Sequence, residues 1–251
     1  MPEAFKLLVD VGNSRLKWGL ATSGGIEAGE PIQTDLNTLG AELERVWGDL
    51  PTPKSIAISN VAGENVGTFI GRWFQQAWSQ SPVWAKSQKK GFGVVNGYDR
   101  PEQLGVDRWV CLIAARQRHL GPACVADCGT ALTLDLLDGD GEHRGGLIVP
   151  GLHLMRESLS RRTVNVREYS GVSSGPWAKN TADAVVGGTL LTLVAVIERF
   201  VRDSAAGLVS TPPLLITGGD AQAISERLDI PFVWAPQLVL EGLSIVAEGD
   251  S

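Results

Sequence analysis

The sequence predicts an α/β protein built from two similar lobes, and three observations carry that expectation. An apolar run, Phe5 to Val9, leads into Asp10-Val11-Gly12-Asn13, and the chain returns with alternating apolar residues at Leu16, Trp18 and Leu20. That pattern reads as a strand ended by Asp10, a tight turn and a second strand. The same order comes back at Ala123 to Ala126, Asp127-Cys128-Gly129-Thr130 and the alternating stretch from Ala131 to Asp135. Two copies, each near the start of one half of the chain, point to a duplicated unit with lobes at residues 1–120 and 121–251, facing across a cleft. Between the copies, strand and helix patterns alternate in the rhythm of a mixed α/β lobe.

The acidic glycine hairpin has a chemistry of its own. Such a turn directs backbone N–H groups towards one point, and without a side chain at Gly12 a phosphate approaches the backbone closely. Asp10 would then stand where a divalent cation bridges to that phosphate. Lys17 either adds a point charge there or is a solvated strand residue. A plain hairpin turn is the bland alternative for either copy alone; the repetition is what favours the phosphate reading.

Taken in order, Thr22 to Gln33 reads as a turn and connection, being polar and glycine-bearing. Asp35 is placed to cap a helix in which Leu36, Leu39, Leu43, Val46, Trp47 and Leu50 recur at helical spacing, stopped by Pro51 and Pro53. Ser55 to Ser59 reads as a strand. A second amphipathic helix follows, with Val66, Phe69, Ile70, Trp73 and Ala77 on one face. Lys86, Lys89 and Lys90 read as a solvated loop. Pro101 suits the first turn of a helix that would run to about His119. Asp107 and Arg108 interrupt its apolar faces: on periodicity a surface ion pair, on chemistry a general base beside a substrate-orienting guanidinium, with Gly105 removing bulk one turn earlier. In the second half, Gly145 to Gly151 reads as a strand, Leu152 to Leu159 as the start of a helix, and residues 161–174 as a mobile loop. Asn180-Thr181 caps the longest helix, Ala182 to Asp203, whose Gly187 and Gly188 predict close approach of another backbone. Leu214 to Ala221 is a strand, a Gly218-Gly219 turn that suits a flat adenine or equally a plain strand-to-helix connection, and a helix start. A short strand, Phe232 to Ala235, and a helix from Pro236 to Ala247 close the chain.

Composition bounds the function. The 251 residues carry a formal net charge of −6, which argues against a nucleic-acid or anionic-membrane surface. An anionic substrate must therefore be met by local donors. Three cysteines without a framework fit a reducing compartment. The first residues lack a secretory pattern, and the longest apolar stretch, Leu190 to Ile197, is too short to span a bilayer, so a cytoplasmic protein with no membrane partner is expected. No Gly-x4-Gly-Lys-Ser/Thr or Gly-x-Gly-x-x-Gly occurs. Gly171-Val172-Ser173-Ser174-Gly175 matches a hydrolase elbow, but the stretch before it is polar and all three histidines, His119, His143 and His153, precede Ser173. The histidines read as surface or boundary residues.

Six segments together resemble the type III pantothenate kinases: Asp10-Val11-Gly12-Asn13-Ser14, Gly105-Val106-Asp107-Arg108, Asp127-Cys128-Gly129-Thr130, Gly145 to Gly151, Asn180-Thr181 and Gly218-Gly219-Asp220. The resemblance implies ATP-dependent phosphorylation of pantothenate to 4′-phosphopantothenate, the first step of coenzyme A synthesis. It implies two ribonuclease H-like lobes of the actin-like ATPase fold with a nucleotide cleft between them, and a homodimer. It implies Mg2+ or another divalent cation and a monovalent cation, K+ or NH4+. Carried over by position, Asp10, Val11, Gly12, Asn13, Ser14, Arg15, Leu16 and Lys17 would hold the ATP phosphates and, at Asp10, the divalent cation directly or through water. Thr130 would contact ATP and Asp127 would bind the monovalent cation. Asp107 would be the catalytic base. Tyr98, Gly105, Val106, Asp107, Arg108 and Thr181 would line the pantothenate pocket. Two alternatives stand beside it: a kinase for another small hydroxyl-bearing substrate, and a non-catalytic regulator of the same family.

Overall fold

The computed structural model describes residues 4–118, 121–162, 177–206 and 211–249, and the chain divides into two compact units. The first opens with β1 (Lys6–Val11), β2 (Arg15–Thr22), β3 (Gly25–Ala28) and β4 (Ile32–Gln33). It continues through α1 (Leu39–Trp47), β5 (Ser55–Asn60), α2 (Glu64–Trp78) and β6 (Val83–Trp84). Its sheet runs β3-β2-β1-β5-β6, with β4 also on β2. β1 and β2 are antiparallel, while β1, β5 and β6 are parallel. One sheet face carries Leu7, Val9, Val11, Leu16, Ile56 and Ile58 into a core with Leu39, Leu43 and Trp47 of α1 and Ile70 and Phe74 of α2. Trp18, Trp47, Trp73, Phe74 and Trp78 interlock there. Neighbouring ring centroids lie 5.3 Å (Trp73–Trp78) to 5.8 Å (Trp18–Trp47) apart, within the range of favourable aromatic pairing.

A small hairpin follows, β7 (Lys90–Gly91) and β8 (Val94–Val95), and then α3 (Val106–Gln117). The expected helix from Pro101 is two pieces. Pro101–Gln103 is one 3₁₀ turn, Leu104 and Gly105 are extended (ψ 127 and 133), and α3 starts afresh. Side chains take the carbonyls that a continuous helix would have used: Asn96 Nδ2 donates to the Pro101 carbonyl and Ser87 Oγ to that of Leu104. Three smaller corrections fall in this unit. β1 continues one residue past Asp10. The connection from Thr22 contains β3 and β4. Asp35 forms an Asx turn, its Oδ1 accepting from the Asn37 N–H, so α1 begins at Leu39, and Leu36 is exposed. Lys89 is tied down, its Nζ donating to the Asn96 carbonyl.

The second unit repeats the plan. It comprises β9 (Ala123–Cys128), β10 (Ala131–Leu137), β11 (His143–Pro150), α4 (Leu152–Arg162), α5 (Thr181–Ser204), β12 (Leu214–Thr217), α6 (Ala221–Ser225) and β13 (Phe232–Trp234). Its sheet order, β11-β10-β9-β12-β13, matches the first strand for strand: an antiparallel hairpin, then two parallel strands beside its first member. Cys124, Ala126, Leu132, Leu134, Leu214 and Ile216 build its core with Leu193, Val194, Ile197 and Val201 of α5. Asn180 caps α5, its Oδ1 accepting from the Asp183 N–H at 2.9 Å. Longer than the apolar run within it, α5 is long and apolar enough by length and composition to cross a membrane, and it contributes a third of that window to the interior of this unit. A Cβ at Gly188 would meet nothing among the described residues, so no close approach is made there within this chain. Arg161 and Arg162 end α4; the remainder of the expected loop, and the Gly171–Gly175 segment, lie outside the described residues.

The last helix, α7 (Leu238–Val246), returns to the first unit and packs on α3, β1 and β5. A division at residue 120 counts it with the second half; its contacts place it with the first. Gly242 permits the contact, because a Cβ there would strike the Val110 carbonyl of α3. Arg118 and Glu241 add a bidentate pair, Nε–Oε2 3.0 Å and Nη2–Oε1 2.7 Å.

Candidate active site

In the first unit the turn between β1 and β2 closes with the Gly12 N–H donating to the Arg15 carbonyl at 3.1 Å. A Cβ on Gly12 would lie 3.0 Å from that same oxygen. Val11 and Leu16 send their side chains into the core, whereas Asn13, Ser14 and Arg15 are exposed. Strand alternation puts Asp10 on the opposite face. There it pairs in register with Lys17 of β2 and Ser59 of β5, so the three form one row across three strands. Asp10 is 6% exposed, and the Ser59 hydroxyl is buried without a hydrogen-bond partner. Hard oxygens at the carboxyl ends of parallel strands suit a divalent cation. Ser59 was missed from sequence, where it reads only as the polar end of an apolar strand.

The start of α3 holds the next group. Gly105 caps the helix, and Asp107 lies in its first turn, a favourable place for negative charge. Asp107 Oδ1 accepts from the Arg108 N–H at 2.8 Å, and a Cβ at Gly105 would lie 2.5 Å from that oxygen. The glycine is thus what lets the carboxylate fold back over the helix end. Arg108 is 4% exposed, which removes the reading of a surface ion pair. Its Nη1 donates to the Tyr98 hydroxyl at 2.8 Å, and its guanidinium carbon lies 5.5 Å from the Tyr98 ring centre. Tyr98, Gly105, Asp107 and Arg108 therefore come together. His143 joins them, stacked on Tyr98 at 5.7 Å; it is a core residue rather than a boundary one. His153 is exposed, and His119 lies outside the described residues.

In the second unit the equivalent row is Thr133, Asp127 and Thr217. Its turn is one residue tighter, with the Gly129 N–H donating to the Ala131 carbonyl at 3.1 Å. Asp127 Oδ1 is buried and has no hydrogen-bond partner. A buried carboxylate oxygen in that state is a fitting ligand for a cation. The Gly218 turn packs on it: φ is +99, a Cβ there would lie 2.5 Å from Asp127 Oδ1, and the Asp220 N–H donates to the Cys128 carbonyl. The Gly151 N–H donates to the Thr130 carbonyl at 3.0 Å, fixing the backbone of the exposed Thr130. Thr181 is exposed as the first residue of α5. Burial pushes the Cys124 thiol up to about 11 and raises Cys128 further, with Asp127 and Asp220 adding to the latter. Both are held protonated near neutrality, which suits core thiols rather than activated nucleophiles.

The family model for type III pantothenate kinase matches residues 6–203. A type III pantothenate kinase from Nitrosococcus oceani is 37% identical, covering 98% of this chain and 94% of its own length. One from Azoarcus sp. is 38% identical, covering 98% and 91%. Among solved structures, a Campylobacter jejuni protein assigned to the Baf family of transcriptional activators superposes with TM-score 0.63 at 19% identity, covering 96% of this chain and 97% of its own. The ethanolamine utilization protein EutJ from Carboxydothermus hydrogenoformans does so with TM-score 0.54 at 13% identity, covering 98% and 90%. The last two likenesses concern the fold, an actin-like mixed α/β architecture.

Proposed function

Because the chain belongs to the type III pantothenate kinase family, we propose that it transfers the γ-phosphoryl group of ATP to the primary hydroxyl of pantothenate, releasing ADP and 4′-phosphopantothenate. The similarity along nearly the whole chain carries this reading. A regulator without phosphoryl transfer would be expected to lose acidic site residues, whereas Asp10, Asp107 and Asp127 are all present.

Phosphoryl transfer asks for positioning and charge neutralisation more than for covalent chemistry. In this reading, the turn from Gly12 to Lys17 holds the phosphates, and Lys17 adds a point charge. Asp10 holds Mg2+ or another divalent cation, directly or through water, with the Ser59 hydroxyl beside it; when bound, that cation neutralises charge on the phosphoryl oxygens. Asp107 accepts the proton of the attacking hydroxyl. Arg108, Tyr98, Gly105 and Val106 orient pantothenate, with Thr181 as a further contact. Thr130 contacts ATP. Asp127 holds K+ or NH4+, and the buried, unpartnered state of its Oδ1 supports that role.

The enzyme works as a homodimer in the cytoplasm in this reading. The support for a dimer is a groove of about 800 Å³ on the second unit lined by Leu136, Leu147, Leu191, Val196 and Phe200, with Leu191 67% exposed. The test of the function is ADP release with pantothenate, Mg2+ and ATP, in potassium and again in sodium. Pantothenate-dependent turnover in potassium alone is expected. Equal rates in both salts would remove the cation site at Asp127. No turnover in either, from folded protein that binds ATP, would point to another acceptor.

A further inference from the structure

We infer that His143 is a positioning residue of the acceptor site: its imidazole is the platform that holds Tyr98, which in turn holds Arg108. This rests on the assignment of Tyr98 and Arg108 to the pantothenate pocket. The His143 ring is 1% exposed and lies 5.7 Å from the Tyr98 ring, with 21° between their planes. At its far end the Tyr98 hydroxyl accepts from Arg108 Nη1 at 2.8 Å. The phenol is therefore held on its face by an imidazole and at its oxygen by a guanidinium.

The topology delivers His143 to this place. Residues 141–143 group with the first unit although they precede most of β11. The Val95 N–H donates to the Gly141 carbonyl at 2.8 Å, and Val95 bridges Glu142. Both the turn and the strand β8 are thus tied together three residues before Tyr98. The backbone of Tyr98 is fixed independently, its N–H donating at 3.0 Å to Oδ1 of the fully buried Asn96. With the backbone fixed, the freedom left to Tyr98 is rotation of its side chain, and the stacked imidazole removes it. A buried arginine whose partner cannot swing away is organised before substrate arrives, which lowers the ordering cost of binding.

The experiment uses the full chain with His143→Gln, which removes the aromatic plane, and His143→Phe, which restores one. Steady-state rates are measured with pantothenate and ATP varied separately. His143→Gln is expected to raise KM for pantothenate roughly tenfold, leaving kcat and KM for ATP within about twofold. His143→Phe is expected to bring KM for pantothenate back to within roughly threefold of the parent, whatever its melting temperature. Tyr98→Leu, which removes the ring being held, should raise the same KM selectively and keeps the test alive if His143→Gln does not fold. Unchanged KM for pantothenate, a parallel rise for both substrates, or equal defects in the Gln and Phe variants would each overturn the positioning role alone. A parent chain without pantothenate-dependent turnover would overturn the acceptor assignment, and this role with it.

Discussion

Asp107 shows how one side chain is prepared by its neighbours. Gly105 leaves room for its carboxylate, the helix start favours its charge, and the Arg108 N–H at 2.8 Å fixes one oxygen. Asparagine at 107 keeps the size and that acceptor but has no basic oxygen to take a proton. Asp107→Asn is therefore expected to lower kcat by roughly a hundredfold or more while ATP binding persists, read by steady-state rates beside a nucleotide titration. Near-normal kcat would remove Asp107 from the role of base. The acidic and glycine residues of this site were legible in the sequence because each turn needs a particular residue type at a particular step. His143 and Ser59 were not, because their significance comes from what lies across from them: a tyrosine 45 positions earlier for one, Asp10 on a neighbouring strand for the other.

At the scale of elements, the two hairpins are the same device made twice. Each puts an acidic residue between a partner on the returning strand and a hydroxyl on the next parallel strand: Lys17, Asp10 and Ser59 in one, Thr133, Asp127 and Thr217 in the other. The lysine in the first row and its replacement by threonine in the second give the rows different charge. The helix α7 is held by contact rather than pattern. Gly242→Ala would drive a Cβ into the Val110 carbonyl, and overpacking of this kind costs about 1–3 kcal/mol. Urea unfolding should show a lower midpoint with an unchanged slope; an unchanged midpoint would mean that α7 shifts freely against α3.

At the scale of the whole molecule, the apolar groove beside α5 is what a dimer would cover. Leu147 is 49% exposed and Leu191 67%, and Gly188 offers a surface with no neighbouring side chain among the described residues. Sedimentation at micromolar concentration is expected to give a dimer, and Leu191→Glu to shift it towards monomer by placing charges in an apolar contact. A monomeric parent chain would overturn the dimer.

The sequence by itself determined the class of fold, the two hairpins, the positions of the acidic residues and the longest helix with its Asn180 cap. Strands, turns and caps are local, so their residue requirements show in the order of the chain. The tertiary structure alone decided that the helix expected from Pro101 breaks at Leu104, where side chains from Ser87 and Asn96 claim carbonyls that a helix would have used. It alone brought α7 back to the first unit and carried His143 to Tyr98. Those outcomes depend on pairings between residues far apart in the chain, and the free energy that selects them is packing and hydrogen bonding across that distance, which no local pattern records.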